Sequence, residues 1–266
     1  MEDHFGAARS LIERAPFRVG VLARFADGRT LLARDADTAF PAASVIKVPL
    51  VMTLYAEAAD GHLDLSERVP VGERVDGSGI LRDLRDVDAV SLRDLAALCI
   101  ALSDNTATNR LIERVGMALV AERLAAWGCM ATALRRRMYD FEAAGRGLDN
   151  VATARELASL LARLVAGECV DRATSDAVLA VLERCDDDRK LRRFLAPDAK
   201  VPSKSGTLDA SRNDVAVFRG SSATVVVAAF TSEVTEHLAA EHLLGIIGRC
   251  AARAAGMPVP PLPFGD

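Results

Sequence analysis

Strand-forming patterns lie only at the two ends of this chain, and a long stretch of helical period, about residues 44 to 196, separates them. Residues 3–14 carry a short helical pattern. Phe17, Val19, Val21 and Ala23 then alternate with other residues, and Thr30-Leu31-Leu32-Ala33 follows Asp27-Gly28. An Asp-Gly pair between two apolar runs signals a hairpin, because both turn residues tolerate positive φ. After Pro197 the strand pattern returns over 199–206, 213–219 and 223–230. A last helix is expected over 235–254, and the proline-rich tail from Pro258 to Pro263 ends regular structure.

Inside the helical block, Ser91 with Asp94 three residues on starts one helix, which runs through Leu95, Leu98 and Leu102. Thr153 and Glu156 make a capping box before Leu157, Leu160, Leu161 and Leu164, and Gly167 stops that helix. A further helix is expected to hold Val178, Val181, Leu182 and Cys185. No internal repeat interrupts the order. Terminal strands that flank a helical block imply an α+β fold, an α/β sandwich whose antiparallel sheet is flanked by N- and C-terminal helices. The expected division is a split α/β domain of residues 1–40 and 197–266, an inserted all-α domain of residues 41–196, and an active site at their junction.

Composition narrows the function. The net charge of −4 and the lack of a long basic run argue against a nucleic-acid surface. The densest cluster, Arg135-Arg136-Arg137, reads as a solvated helix end or loop. No run reaches membrane-spanning length. The N-terminus carries Glu2 and Asp3 and no apolar stretch of signal-peptide length, so the chain reads as cytoplasmic as numbered, or as periplasmic or secreted had a leader been trimmed. Cys99, Cys129, Cys169, Cys185 and Cys250 are odd in number and form no CxxC pattern. Buried thiols in a reducing compartment are the expectation, with no metal, no organic cofactor and a monomeric chain.

Three short motifs occur in a meaningful order. Ser44-Val45-Ile46-Lys47 heads an apolar helical segment, and positions three apart share a helix face, so the lysine can help deprotonate the serine. Alone the pattern is weak, since chance supplies about one in a chain this long. Ser103-Asp104-Asn105 lies between two helices and reads equally as an N-cap. Lys204-Ser205-Gly206-Thr207 closes a strand and reads equally as a solvent-facing strand end with a glycine turn. The four histidines, His4, His62, His237 and His242, lie outside all three motifs, and no G-x-S-x-G elbow exists. A lysine-based serine enzyme needs neither.

Taken together, the three motifs resemble those of class A β-lactamases and penicillin-binding proteins. The resemblance runs from the first hairpin to the final helix and includes Ser103-Asp-Asn-Thr-Ala-Thr-Asn109 and Ser211-Arg-Asn-Asp-Val-Ala-Val217. It implies a β-lactamase/transpeptidase-like fold and a serine hydrolase that opens a β-lactam, or a related amide or ester bearing a carboxylate, through an acyl-Ser44 intermediate. By the same resemblance Lys47 is the proton acceptor or relay and Ser103 passes a proton toward the leaving nitrogen. Asn105 fixes Lys47 and the substrate amide, and Lys204 holds positive potential over the site. Ser205, Thr207 and Arg212 meet the substrate carboxylate. The N–H groups of Ser44 and Thr207 form the oxyanion hole, and Gly206 of the same motif counts among the substrate-binding residues. Arg212 reads otherwise as a surface arginine on a turn.

One departure stands out. The family's Glu-x-x-Leu-Asn segment, which activates the deacylating water, is absent from Arg137-Met-Tyr-Asp-Phe-Glu-Ala-Ala-Gly-Arg-Gly-Leu-Asp-Asn150. Asp140 and Glu142 are the acids at the start of this loop and the candidates for the deacylating base. The alternatives are a penicillin-binding-type peptidase or esterase on the same fold, and a sensor that is acylated once and stays acylated.

Overall fold

The structure, a computed structural model, describes residues 3–262. Glu2 and Pro263, both read above, lie outside the described residues. In chain order the elements begin α1 (Gly6–Arg14), β1 (Arg18–Phe25), β2 (Thr30–Arg34), β3 (Phe40–Pro41), a 3-10 turn (Ala43–Ile46) and α2 (Lys47–Ala59). There follow β4 (Arg68–Pro70), β5 (Ala89–Ser91), α3 (Leu92–Ala101), α4 (Asn105–Val115), α5 (Met117–Ala126), α6 (Phe141–Gly145) and β6 (Val151–Ala152). The chain ends with α7 (Ala154–Ala166), α8 (Arg172–Leu182), β7 (Ser203–Leu208), β8 (Ser211–Arg219), β9 (Thr224–Ser232) and α9 (His237–Ala255).

Two compact units result. One holds the chain up to Val45, Ala152–Ala162 and the chain from Asp187 onward; the other holds Ile46–Val151 and Arg163–Asp186. The division differs from the expected one in three places, each with a bond inside the first unit to account for it. Asn213 Nδ2 donates to Pro41 O at 2.8 Å. Arg155 clamps Asp37 through both guanidinium edges. The Leu191 N–H donates to Asp214 Oδ2 at 3.0 Å. The second unit is also not all-α, because β4 and β5 pair antiparallel within it.

The first unit is built on an antiparallel sheet in the order β2-β1-β9-β8-β7. Strand alternation sends Val21, Ala216, Phe218, Val227 and Ala229 into one core with Phe5 and Ala8 of the N-terminal segment and Leu244, Ile247 and Ala251 of α9. On the other face Gly20 leaves room for Phe40: a Cβ there would come within 2.3 Å of Phe40 Cε2. Phe40 stacks on Phe230 with ring centroids 6.3 Å apart. Burying such a ring contributes about 1.5–3 kcal/mol, and it anchors the chain four residues before Ser44.

The first hairpin forms where Asp27-Gly28 predicts it, but by a longer loop. Phe25 N donates to Arg29 O at 2.9 Å, and in this turn Gly28 has positive φ (98°) while Asp27 does not. The register also shifts between Ala23 and Arg24. At the far end β7 and β8 meet through a two-residue turn at Asp209-Ala210, with Leu208 opposite Ser211, so Thr207 lies within the ladder. Cys185 lies beyond α8, which stops at Leu182.

In the second unit α2 is buried from Lys47 through Glu57. A helix that is apolar all round belongs inside a bundle, and α2 packs against α3, α4, α5 and α8. Ser91 caps α3 by accepting from Asp94 N at 3.1 Å, and Asp104 caps α4 by accepting from Ala107 N at 2.9 Å. Among the described residues, no helix is long and apolar enough to cross a membrane.

Candidate active site

Lys47 is the first residue of α2 and is fully buried. The helix dipole disfavours a cation at an N-terminus, so the lysine needs acceptors, and the Ser103–Asn105 loop supplies them. Lys47 Nζ donates to Ser103 O at 2.6 Å, Ser103 Oγ at 3.1 Å and Asn105 Oδ1 at 3.0 Å. Ser103 itself sits at φ 53°, a left-handed conformation uncommon for serine and the kind of strain that collects at functional sites. The capping reading of Asp104 holds as well: one carboxylate oxygen caps α4. The other accepts from Ile80 N and Leu81 N, both at 2.8 Å.

That second bond pins the segment before Ile80 onto the loop. Asn105 Nδ2 donates to Asp76 O at 3.1 Å, and Ser78 Oγ donates to Ser103 O at 3.0 Å. Gly77 and Gly79, at φ 89° and 109°, are required here, since a Cβ on Gly79 would strike Asp104 and one on Gly77 would strike Asn105 and Tyr139. The contributions of Gly77, Ser78 and Gly79 went unread in the sequence; the Gly-Ser-Gly run was the available signal.

The Arg135–Arg137 cluster lies in a loop, as expected, with Arg135 exposed and Arg136 and Arg137 partly covered where the loop is stapled. Arg136 pairs with Asp149 at 2.8 Å, Arg137 pairs with Glu113 at 2.6 Å, and Asn150 Oδ1 accepts from Arg135 N and Arg136 N. The two candidate bases are engaged elsewhere. Asp140 caps α6, accepting from Ala143 N at 2.9 Å. Glu142 is 85% exposed and pairs with Arg146 at 2.5 Å.

In the first unit Ser44 is half-buried on the 3-10 turn, not on α2 itself. The residue before it, Ala43, is at φ 48°. Gly206 of β7 packs against this turn: a Cβ there would lie 3.0 Å from Ala43 Cβ and 3.1 Å from Ser44 N. Lys204 shares Gly206's face of the strand, is buried, and donates from Nζ to Ser205 O at 2.8 Å.

Ser205 and Thr207 take the opposite face, opposite Asp214 and Arg212 respectively. The register therefore groups Ser205, Thr207 and Arg212. Arg212 is not the surface residue of the alternative reading: it is buried, its Nη1 donates to Leu208 O at 2.6 Å and Ser211 O at 2.8 Å, and its Nε lies 3.4 Å from Glu241. A substrate carboxylate would compete with Glu241 for it.

Beneath β8 lies a charged cluster that sequence periodicity hid inside an apolar-looking strand. Burial pushes the Asp214 carboxyl up to about 7, with Lys190 and Lys204 drawing it down and Asp187 raising it. Burial also acts to raise Asp187, but Arg189 and Lys190 outweigh it and hold that carboxyl well below the usual range. Elsewhere, Glu57, Asp60 and His62 bring potential ligand atoms within 4.8 Å of one another. Arg123 already bonds both carboxylates. All five cysteines are buried, and burial pushes the Cys169 and Cys250 thiols up to about 11, which leaves little thiolate at neutral pH.

The sequence and fold are similar to those of known proteins. The chain is 28% identical over 246 residues to the β-lactamase regulatory protein BlaB of Streptomyces cacaoi, covering 75% of this chain and 79% of that one. It superposes on the crystal structure of a β-lactamase from Sphaerobacter thermophilus with a TM-score of 0.87, at 31% identity over 97% of this chain and 98% of that one. An ancestral class A β-lactamase gives a TM-score of 0.84 at 27% identity, covering 94% and 99%. Residues 7–255 match the beta-lactamase enzyme family, and the chain belongs to that family, on its class A-related branch.

Proposed function

We propose that the protein is a serine hydrolase that opens a β-lactam, or a related carboxylated amide or ester, through an acyl-Ser44 intermediate. The observation that carries this reading is the setting of Lys47. It lies three residues after Ser44, fully buried, with Nζ bonded to the Ser103 hydroxyl and to Asn105. In the proposed cycle Lys47 acts as acceptor or relay for the Ser44 proton, once one of its own N–H bonds to the Ser103–Asn105 loop is given up, while Oγ bonds to the carbonyl carbon. The proton then passes through Ser103 to the departing nitrogen as the C–N bond breaks. The N–H groups of Ser44 and Thr207 are assigned to the developing oxyanion. Ser205, Thr207 and Arg212, which the register groups on one face, are assigned to the substrate carboxylate, and Lys204, on the other face, to positive potential over the site.

Intact-mass spectrometry with a penicillin tests the assignment. One adduct mapping to Ser44 and absent in Ser44→Ala is expected, and an adduct that survives that substitution refutes it. Lys47→Ala should remain folded yet acylate about 100-fold more slowly, the usual scale for loss of a general base.

A second reading is an acylated sensor, favoured by the similarity to a β-lactamase regulatory protein and by the engagement of Asp140 and Glu142 elsewhere. Sustained hydrolysis of a chromogenic β-lactam supports the hydrolase; a single turnover per molecule supports the sensor. A peptidase or esterase on the same fold would instead turn over simple esters.

A further inference from the structure

Arg24 breaks the pattern of the strand that carries it. Its β1 neighbours Leu22, Ala23 and Phe25 are buried, yet a charged side chain lies half-buried here between Thr30 of β2 and Val226 of β9. Alternation places it on the face of Gly20 and Leu22, the face that receives Phe40. Its Nε is buried and has no hydrogen-bond partner. No acid compensates the charge among the described residues; the charge that acts on it is a second guanidinium, that of Arg155. Burial first, and the Arg155 charge second, hold the Arg24 guanidinium below its ordinary value.

Arg155 sits in the first turn of α7, where the helix dipole favours an anion over a cation. It gives Nε and Nη2 to Asp37 at 2.5 and 2.8 Å, a clamp that does not use Nη1. Both side chains of the clamp are more than half exposed, so the approach is open. The Arg155 N–H donates to Ala36 O at 2.9 Å, which fixes the arginine to the segment after β2. All these residues belong to the first unit. Taking a charge out of water is costly without a partner, and a neighbouring like charge adds repulsion. An anion between the two guanidiniums would relieve both.

We propose that Arg24 and Arg155 form a binding site for a small oxyanion of the phosphate class, with the Thr30 hydroxyl, opposite Arg24 on the same face, as a third donor. Guanidinium forks match such anions through paired N–H bonds. The anion would tie β1 to α7 and to the Ala36–Asp37 segment, and so stabilise the first unit. The site uses none of the residues assigned to acyl transfer, so it stands or falls apart from that reading.

Inorganic phosphate is the probe, titrated against the whole chain at constant ionic strength with sodium chloride as the balancing salt. Tm should rise with phosphate and level off, as for a ligand that binds only the folded state. Calorimetry should give one site. Arg24→Leu should weaken phosphate binding at least about tenfold, the scale for losing a hydrogen bond to a charged group. Without phosphate, its Tm should match or exceed that of the wild type, because an apolar side chain replaces an uncompensated charge. Arg24→Lys, which keeps the charge but not the fork, should fall between the two in affinity.

A Tm that rises no more with phosphate than with chloride overturns the inference, as does phosphate binding unchanged in Arg24→Leu. So does a phosphate-free Arg24→Leu protein less stable than the wild type, since the guanidinium would then already be satisfied within the fold.

Discussion

Asn109 holds Met138 from both sides: its Nδ2 donates to Met138 O at 3.1 Å and its Oδ1 accepts from Met138 N at 2.8 Å. One side chain on α4 thus does for the loop what a strand partner would do. Asn109→Ala leaves two backbone groups without these partners, a loss of about 1–3 kcal/mol for each buried group. Hydrogen exchange across residues 134–150 should quicken, with a fall in Tm of several degrees. Unaltered exchange in that segment would mean the loop is held by its other staples, Arg136–Asp149, Arg137–Glu113 and the Asn150 bonds.

Gly206 leaves no spare room against Ala43 and Ser44. Gly206→Val should therefore shift the turn that carries the nucleophile while the sheet stays paired, because valine favours strands. A displacement of about 1 Å costs on the order of 100-fold in rate. Acylation by a penicillin should drop by that order with circular dichroism unchanged; wild-type acylation would show that Ser44 is insensitive to the strand.

Turnover should be limited by its second step. Water is a poor nucleophile without a positioned base, and both loop acids are committed to a cap and a surface ion pair. Stopped-flow traces on penicillins should show a burst followed by a slow steady state. Glu142→Gln should change the steady rate by less than about twofold, as an exposed pair contributes little. Asp140→Asn keeps the cap, since asparagine caps as well as aspartate. A steady rate that collapses in either variant would identify that acid as the base.

Asp214 predicts a pH dependence of stability. Its carboxyl is raised from the usual 3.8 to about 7 in the fold, so the native state binds a proton more tightly than the unfolded chain does. The stabilisation is complete below about pH 4 and is lost as pH rises through about 7. Asp187, held low by Arg189 and Lys190, works in the opposite sense and lies below this window. Tm should decline between pH 5 and 8 in the wild type, and Asp214→Asn should flatten that decline while still accepting from Leu191 N. An identical slope in the variant would assign the dependence to another group.

What the sequence determined by itself was short-range. The Ser91, Asp104 and Thr153 caps are read from neighbours within three residues, and each bond is present. The Asp27-Gly28 hairpin and the strand–helix–strand order follow from local period in the same way. These features survive translation from sequence because a cap or a turn is closed by groups the chain itself keeps close. The length of the first turn was not legible, since the register of β1 is settled on its other edge by β9.

Only tertiary structure decided which distant group answers which. Lys47 meets Asn105 across 58 residues, Arg155 meets Asp37 across 118, and Asn213 meets Pro41 across 172. Nothing local distinguishes Arg212 facing Glu241 from Arg212 facing solvent; the Glu142–Arg146 pair, by contrast, is four residues apart and was legible as a local pair. A side chain's chemical type is written in the chain, but a charge takes its role from its partners and from how much water remains around it, and packing alone sets both.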